Sequence, residues 1–435
     1  MTLDAGLDDS LDTAAAALPQ RRSLALNSAG LVAGKAAQMG TGYLLWLVAA
    51  RTAPVHEVGV AAAAVSAVML CTQVGLLGSG SAVIVLVGTA RHRLADVVGA
   101  AVAILAVGSG VAAAVCLAII ATTSSDVGTM FGSAAFPWLF VLAAVFGTMV
   151  ICLDQVSIAL ARGDQTLPRY LISGLAAVGF LTFAASGSAT ITAGVVFACW
   201  TVDAAISSLI GWRQTRHWLG CWVRPRFERQ LTIELLRVGV PNQALTLAER
   251  APALLVPVLT AQLVSPTVTA TWYPAWMMAW LAYTAPVAVG LAQFSAIVRQ
   301  PDRIRETTWN ALRWSLLLGG AVAAVLIVAA EPVMSLLGEK YAASSAGALR
   351  LLALGIAPYA VLQAYNAACR ARQRLGEATR VGVTIGVLAC TTTVAAAAHG
   401  PTAMATAWLT VSTVAAGWCG WRLVRMTRGE GIRAP

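Results

Sequence analysis

The chain has 435 residues, of which 58% are hydrophobic and only 11% are charged, and its mean hydropathy is +0.76. Because soluble domains carry about 25% charged residues, this composition excludes a water-soluble fold. The formal net charge is +10. The basic residues, however, stand in short clusters between long apolar runs, which is typical of membrane topology rather than of nucleic-acid binding.

The N-terminal segment, residues 1–22, precedes the first apolar run and is acidic. It contains Asp4, Asp8, Asp9 and Asp12. A cleavable signal would instead begin with a basic region and a short apolar stretch. We therefore expect this segment to be a disordered cytoplasmic tail.

The apolar runs that follow are long enough to span a membrane, which takes about 20 residues of helix. In the first half of the chain they cover residues 24–50, 55–88, 94–121, 136–161, 168–185 and 190–212. In the second half they cover residues 238–263, 267–298, 309–329, 346–369, 381–398 and 402–423. The sequence thus predicts an all-α polytopic membrane protein with about 12 transmembrane helices.

Equal numbers of spans in the two halves indicate two pseudo-symmetric six-helix lobes around a central cavity. The predicted segments are a cytoplasmic tail (1–22), an N-terminal lobe (23–212), a basic cytoplasmic connector (213–237), a C-terminal lobe (238–424) and a second cytoplasmic tail (425–435). The connector mixes Trp218, Trp222 and Phe227 with arginines, which suits a segment lying on the inner leaflet.

Arginines concentrate on alternate connections between the spans. They precede the odd-numbered spans and follow the last one, whereas the opposite connections hold Arg51, Lys340 and Arg350. Because basic residues stay on the cytoplasmic side, we expect a multi-pass protein of the cytoplasmic membrane with both termini in the cytoplasm.

Two basic residues are predicted to lie near the middle of the bilayer, one in each lobe. When Asn27 of span one is aligned with Asn242 of span seven, Lys35 matches Arg250 eight residues later. Each lies about twelve residues into its span, too deep to reach an interface. A charge at that depth costs about 2.5 to 3.5 kcal/mol, so an interaction must offset the cost.

Two explanations for these cations remain open. In the first, they pair with intramembrane acids, of which three are available: Asp154, Asp203 and Glu249. In the second, Lys35 and Arg250 hold an anionic headgroup such as a pyrophosphate, with Arg250 supplying a bidentate fork. The two explanations are compatible if the acids pair with the cations only while the binding site is empty. Helical spacing puts Gln38 on the stripe of Lys35 and Gln243 on that of Arg250, and both stripes are expected to line the central cavity.

Two further faces are candidates for substrate contacts. In span eight Trp272, Trp276 and Trp280 recur every four residues. Their rings could stack on sugars, or they could form an interfacial belt at Trp272 and pack against lipid or the core elsewhere. In span ten a polar face contains Tyr359, Gln363, Asn366 and Arg370. Such a face belongs in a cavity or in a helix interface.

Nothing in the sequence predicts a metal site, a cofactor or a soluble catalytic domain. The eight cysteines are scattered without a CxxC pair, and there is no GxxxxGK[ST] loop. No extramembrane segment is long enough for a nucleotide-binding or catalytic domain. We therefore expect a protein that is not an enzyme.

Short segments of the chain resemble the polysaccharide-export or lipid-linked oligosaccharide flippase family, within the superfamily that also holds multidrug exporters and exporters of lipid-linked peptidoglycan precursors. They are Ala50 to Gly59, Val74 to Leu77, Glu249-Arg250, Ala270 to Tyr273, Leu337 to Tyr341 and Leu349 to Gly355. At Ala270 the chain lacks the glycine of the family pattern.

The resemblance implies a two-lobed transporter that moves a polyprenyl-pyrophosphate-linked oligosaccharide to the outer leaflet, in contact with membrane lipids and with other polysaccharide-assembly proteins. Asp154, Asp203 and Glu249 would then serve as coupling or counter-ion residues. One alternative is a cation- or proton-coupled drug or metabolite antiporter of the same superfamily. A second alternative is an integral-membrane glycosyltransferase or polymerase, which would require acids on the outer loops for acid–base chemistry.

Overall fold

The structure is a computed structural model, and it describes residues 24–80, 82–83, 86, 93–122, 134–160, 162–187, 190–221 and 223–428. All regular secondary structure in these ranges is helical, which confirms the all-α prediction. The predicted N-terminal tail and residues 429–435 of the predicted C-terminal tail lie outside the described residues.

The described residues form fourteen α-helices. The first six are α1 (Leu24–Thr52), α2 (Val55–Gly75), α3 (Leu94–Thr122), α4 (Phe136–Ala159), α5 (Thr166–Ala185) and α6 (Ala193–Leu219). The remaining eight are α7 (Arg229–Leu263), α8 (Pro266–Arg299), α9 (Ile304–Val328), α10 (Ala330–Ser335), α11 (Glu339–Leu354), α12 (Ile356–Ala371), α13 (Leu375–Ala396) and α14 (Pro401–Thr427).

Most of these helices are membrane spans by length and composition. Within the described residues nine pass this criterion, and the bent pair α11–α12 brings the number to ten. Helices α1 and α14 are 29 and 27 residues long but less apolar; α1, for example, contains Lys35 and Gln38. With these two helices the count matches the twelve predicted spans, and the chain is a multi-pass membrane protein.

The helices pack in the same order in both halves of the chain. In the N-terminal lobe (α1–α6) the pairs in contact include α1–α5, α2–α3, α2–α4, α4–α6 and α5–α6. In the C-terminal lobe (α7–α14) the corresponding pairs are α7–α13, α8–α9, α8–α12, α12–α14 and α13–α14. Because the pairing repeats element by element, the two lobes are pseudo-symmetric six-span bundles, as the even division of the spans predicts.

Helix α2 is the main contact between the lobes. It packs on α3 and α4 of its own lobe and on α7 and α8 of the other. Its central residues, Val60 to Val65, are at most 2% exposed. Four of these six residues are alanines, and small side chains allow helices in a membrane to approach closely.

Span two was predicted as one helix over residues 55–88, and this prediction is wrong at its centre. Helix α2 ends at Gly75, and Leu77 and Gly78 have φ angles of +45° and +74°. A Cβ atom on Gly78 would collide with the carbonyl of Gly239 in α7. The chain therefore turns where a glycine is needed both for the positive φ and for the close approach of α7.

The predicted connector, residues 213–237, is mostly helical. Helix α6 continues to Leu219, and α7 begins at Arg229. Between them Val223 is 3% exposed and belongs to a core cluster of the N-terminal lobe. The backbone N–H of Arg226 donates to the carbonyl of Gly99, 3.3 Å away. Only a short segment thus lies outside the helices, and its described part packs against α3 instead of lying apart from the bundle.

Span ten bends by 42° where α11 meets α12, at Gly355. The hydroxyl of Tyr283 in α8 donates to the carbonyl of Leu352 at 2.6 Å. A Cβ atom on Gly355 would collide with that hydroxyl. The bend therefore exposes a backbone carbonyl, and a buried tyrosine satisfies it.

Candidate functional site

In the N-terminal lobe a cluster of charged and polar side chains surrounds the carboxylate of Asp154 on α4. The Lys35 ammonium on α1 lies 2.6 Å from Asp154 Oδ2. The Tyr170 hydroxyl donates to the same oxygen at 2.6 Å, and Arg169 donates to Oδ1. Lys35 also donates to Tyr170 at 3.4 Å. One carboxylate is therefore shared by two cations, which leaves the cluster with one surplus positive charge.

The two cations of this cluster differ in burial. The side chain of Arg169 is 1% exposed and that of Asp154 is 6% exposed, whereas that of Lys35 is 55% exposed. The Nζ of Lys35 also donates to Gln38 Oε1 at 3.0 Å. Arg169 and Asp154 thus form the buried part of the cluster, and Lys35 with Gln38 forms its accessible edge.

The close packing of α1 against α5 places Lys35 in this cluster. A Cβ atom on Gly30 would collide with the backbone of Asp164, and one on Gly34 would collide with the Thr166 hydroxyl. That hydroxyl donates to the carbonyl of Gly30 at 3.2 Å. Because these two glycines bring α1 next to the start of α5, the Lys35 side chain reaches the acid on α4 behind it.

In the C-terminal lobe the acid next to Arg250 is engaged elsewhere. Glu249 lies 3.2 Å from the Arg370 guanidinium on α12 and accepts a hydrogen bond from Asn366 at 2.8 Å. Arg250 itself is partly buried and forms no ion pair or hydrogen bond with any described residue. The prediction that Glu249 and Arg250 are not each other's main partner is confirmed.

Each predicted cation shares a helix face with a residue that contacts the opposite lobe. The Gln243 amide donates to the backbone carbonyl of Gln73 in α2 at 2.5 Å, and Arg250 follows on the same face about two turns later. Lys35 shares a face with Trp46, about three turns later. The ring of Trp46 lies 4.9 Å from that of Tyr273 in the C-terminal lobe.

The lobes leave space beside α1. Its last third contacts the C-terminal lobe: the Tyr43 hydroxyl donates to Val333 at 3.0 Å, and Arg51 donates to Leu336 at 2.7 Å. A Cβ atom on Gly42, on the face of Lys35, would meet nothing within 4 Å. Further towards the start of the helix Val32 is 70% exposed. Among the described residues, the face of α1 that carries Lys35 is therefore not covered at Gly42, and Lys35 itself is half-exposed.

The polar face of span ten lines a separate cavity inside the C-terminal lobe. This cavity has a volume of about 70 Å³, and its lining includes Glu249, Tyr283, Tyr359, Gln363 and Asn366. A cavity needs only about 10 to 15 Å³ of such volume to hold a water molecule, so this one has room for several waters or a small ion. The predicted polar face is thus both a cavity wall and, through the Asn366–Glu249 contact, a helix interface.

The tryptophans of span eight belong to the core of the C-terminal lobe. Trp276 is 7% exposed, with ring centroids 5.9 Å from Trp272 and 4.8 Å from Trp408. Trp280 lies 6.1 Å from Tyr359. Trp272 is 1% exposed, which contradicts an interfacial belt at this position. These contacts favour core packing over a free surface for sugars.

Asp203 on α6 is the third predicted acid, and the structure does not pair it with a cation among the described residues. The hydroxyl of Ser173 on α5 lies near this carboxylate without forming a hydrogen bond of normal geometry to it, one helical turn beyond Arg169 and Tyr170. Arg169 and Tyr170 themselves are not among the predicted site residues, because Arg169 stands at the start of the predicted span 168–185 and counts there as one of the basic residues that set the topology. Helix α5 begins at Thr166 instead of residue 168 and buries both side chains.

The chain has the fold of the MOP superfamily of transporters, as comparisons with solved structures show. No protein-family model matches the sequence, and no curated protein does. A multidrug-resistance MATE transporter in an inward-facing conformation matches with a TM-score of 0.60 and 15% identity, over 91% of this chain and 96% of that one.

Two further solved structures have the same fold. The lipid II flippase MurJ in an inward closed conformation has a TM-score of 0.69 and 11% identity, over 92% of this chain and 90% of that one. A MOP superfamily transporter from Pyrococcus furiosus, described by the reverse polarity of its binding pocket, has a TM-score of 0.62 and 13% identity, over 92% and 95%. These likenesses show that the chain shares the fold of solved transporters of the superfamily that the sequence motifs resemble.

Proposed function

We propose that the chain is an alternating-access transporter that flips a polyprenyl-pyrophosphate-linked oligosaccharide from the inner to the outer leaflet of the cytoplasmic membrane, for assembly of cell-surface polysaccharide. The observation that carries this proposal is Arg250, a partly buried cation on the lobe-facing side of α7 without an ionic partner among the described residues. A charge in that position favours an anionic cargo. A guanidinium fits a phosphate oxygen pair with two parallel hydrogen bonds.

Lys35 is the second ligand for the headgroup in this proposal. Its ammonium is half-exposed, and the acid that it contacts, Asp154, is also bound by the buried Arg169. When Lys35 turns to a pyrophosphate, Asp154 keeps a cation, so no buried carboxylate is left without compensation. Gln38 adds a hydrogen-bond donor beside Lys35, while Gln243 helps to join α7 to α2.

The acids have different roles in this mechanism. In the empty transporter Asp154 is the counter-ion of Lys35 and Arg169. Glu249 is the counter-ion of Arg370. Asp203 has no ion pair among the described residues, and it is our candidate for the residue that takes up a coupling proton or cation. The small cavity beside Glu249 is too narrow for the glycan, so the glycan occupies the open space along α1.

A drug or metabolite antiporter is the second candidate, and Asp203 is the observation that favours it. Such a carrier would draw cationic substrates with carboxylates in its central space. Here the residues that face the other lobe are Lys35 and Arg250, which would repel a cation. The reversed pocket polarity named for the Pyrococcus furiosus transporter indicates that this fold accommodates pockets of different charge.

The experiment is a flipping assay in proteoliposomes with a fluorescent polyprenyl-pyrophosphate-linked sugar, read out by a quencher that cannot cross the bilayer. Arg250→Gln should lower the flipping rate about tenfold or more, since hydrogen bonds to charged groups contribute about 1.5 to 3 kcal/mol. Arg250→Lys should restore part of the rate. Arg305→Gln, at an exposed position on α9, is the matched control and should leave the rate unchanged.

The outcome that contradicts the proposal is equally specific. If the wild-type protein moves a sugar lipid without phosphate as fast as the pyrophosphate-linked one, the cations do not select an anion. A deletion strain provides the cellular counterpart: lipid-linked glycan intermediates should accumulate in it, and normal export of every surface glycan would count against the proposal.

A further inference from the structure

A second positively charged cleft lies away from Lys35 and Arg250, at the end of the bundle where α13 begins and α14 ends. It has a volume of about 690 Å³. The residues that line it are Arg374, Glu377, Arg380, Val381, Trp418, Trp421 and Arg422. The cleft is thus made of arginines on one side and exposed indole rings on the other.

The charges in this cleft do not balance. Arg374 and Arg422 lie 2.9 and 2.8 Å from the carboxylate of Glu377. Arg380 is exposed and forms no side-chain hydrogen bond or ion pair with any described residue. Three arginines therefore share a single carboxylate. The surplus is two positive charges in an open cleft, which is a site for an anion.

The position of the cleft in the helices indicates the membrane interface. Arg380 lies in the second turn of α13, and Arg422 lies in the last two turns of α14. Trp418 and Trp421 are 44% and 50% exposed, and tryptophan is enriched where spans leave the hydrocarbon. The guanidinium of Arg425 stacks on the Trp421 ring at 4.1 Å, which fixes the orientation of the indole.

We propose that this cleft binds the phosphate of an anionic phospholipid from the adjoining leaflet. Arg380 and Arg422 hold the phosphate oxygens, and the indole rings of Trp418 and Trp421 pack on the glycerol and the first acyl carbons. Arginines at the level of the headgroups attract anionic lipids. The exposed rings beside them favour a lipid over a soluble phosphate, because a soluble anion offers the rings no apolar surface.

The test is native mass spectrometry of the full-length protein in detergent with phosphatidylglycerol or phosphatidylcholine. The wild type should retain one phosphatidylglycerol more tightly than any phosphatidylcholine. Arg380→Gln should weaken this binding about fivefold, since a basic residue near the surface contributes about 1 kcal/mol. Arg380→Lys should keep most of it. Arg305→Gln, which removes an exposed arginine of α9 outside the cleft, should have no effect.

Arg380 has no side-chain partner among the described residues, so its substitution should leave the melting temperature unchanged, and weakened binding then reports on the cleft itself. Equal retention of phosphatidylglycerol by wild type and Arg380→Gln would overturn the proposal. Equal retention of phosphatidylcholine would overturn it as well. Displacement of the lipid by an equal concentration of inorganic pyrophosphate would assign the cleft to a soluble anion and reject the lipid.

Discussion

Glu249 precedes Arg250 in the chain, yet its carboxylate pairs with Arg370 of α12 at 3.2 Å. Adjacent residues point about 100° apart around a helix. Helix α7 therefore directs the two side chains apart: the acid pairs within its own lobe, and the cation lies on the helix face that also carries Gln243. Glu249 thereby fastens α7 to α12, while Arg250 forms no hydrogen bond or ion pair with any described residue.

The Glu249–Arg370 pair should stabilise the C-terminal lobe. Both side chains are largely buried, with 13% and 18% exposure. Removing one partner of such a pair leaves an uncompensated charge and costs about 3 kcal/mol. Glu249→Gln should therefore lower the melting temperature of the purified protein, and the double variant with Arg370→Gln should regain part of the loss. Glu306→Gln, which breaks the exposed pair with Arg303, is the control; an equal effect of both substitutions would contradict the assignment.

Substitution of Asp154 and substitution of its half-exposed partner Lys35 should have different effects on stability. Asp154→Asn leaves the buried Arg169 without its carboxylate and should reduce the yield and thermal stability of the protein strongly. Lys35→Gln removes a half-exposed cation while Asp154 keeps Arg169. It should therefore leave the melting temperature nearly unchanged but lower flipping in proteoliposomes. A large fall in stability with Lys35→Gln would make Lys35 a structural residue.

The sequence predicted the spans and the two cations near the middle of the bilayer, because both follow from composition and helical spacing. It left open which of Asp154, Asp203 and Glu249 pairs with which cation. It did not predict Arg169 as part of the cluster around Asp154. A basic residue at the very start of an apolar run is typical of a topology signal, and only its contact with Asp154 shows that it is buried. The burial of Trp272 and Trp276 likewise depends on which helix lies opposite. That information is tertiary, and local periodicity does not contain it.

The break in span two likewise depends on a tertiary contact that local periodicity does not contain. The window around Leu77 and Gly78 is apolar throughout, and several of its glycines would fit equally well into a packed helix. What selects Gly78 is the backbone of α7 at Gly239, which lies 161 residues further along the chain. A contact between such distant positions leaves no signal in a single sequence.

The contact between Gly78 and Gly239 should be intolerant of any side chain. A Cβ atom on either glycine would collide with the backbone of the other, and at Gly78 the positive φ adds strain. Gly239→Ala should therefore lower the melting temperature and reduce flipping, because α2 and α7 must move apart. Gly417→Ala on α14, where a Cβ atom would meet nothing within 4 Å, should be neutral or slightly stabilising. Equal tolerance at both positions would count against the close contact.

Trp276 should matter for stability, not for recognition of a sugar. It is 7% exposed and packs between Trp272 and Trp408. Truncating a buried tryptophan to alanine costs about 3 to 5 kcal/mol, and Trp276→Leu should cost a substantial part of that. Trp314→Leu, at a position that is 58% exposed, is the control and should melt like the wild type. Unchanged stability of Trp276→Leu together with lost flipping would instead support stacking on the cargo.

Cys221 offers a direct test of the orientation that we propose for the chain. It is exposed and lies between α6 and α7, at the end of the bundle where most arginines cluster. Among the other seven cysteines six are buried, and Cys116 is partly buried within α3. Only an accessible thiol reacts readily, so a membrane-impermeant maleimide should label the protein in inverted vesicles but not in intact cells. Cys221→Ser should abolish the labelling. Labelling of intact cells that depends on Cys221 would place the arginine-rich end outside and reverse the proposed direction of transport.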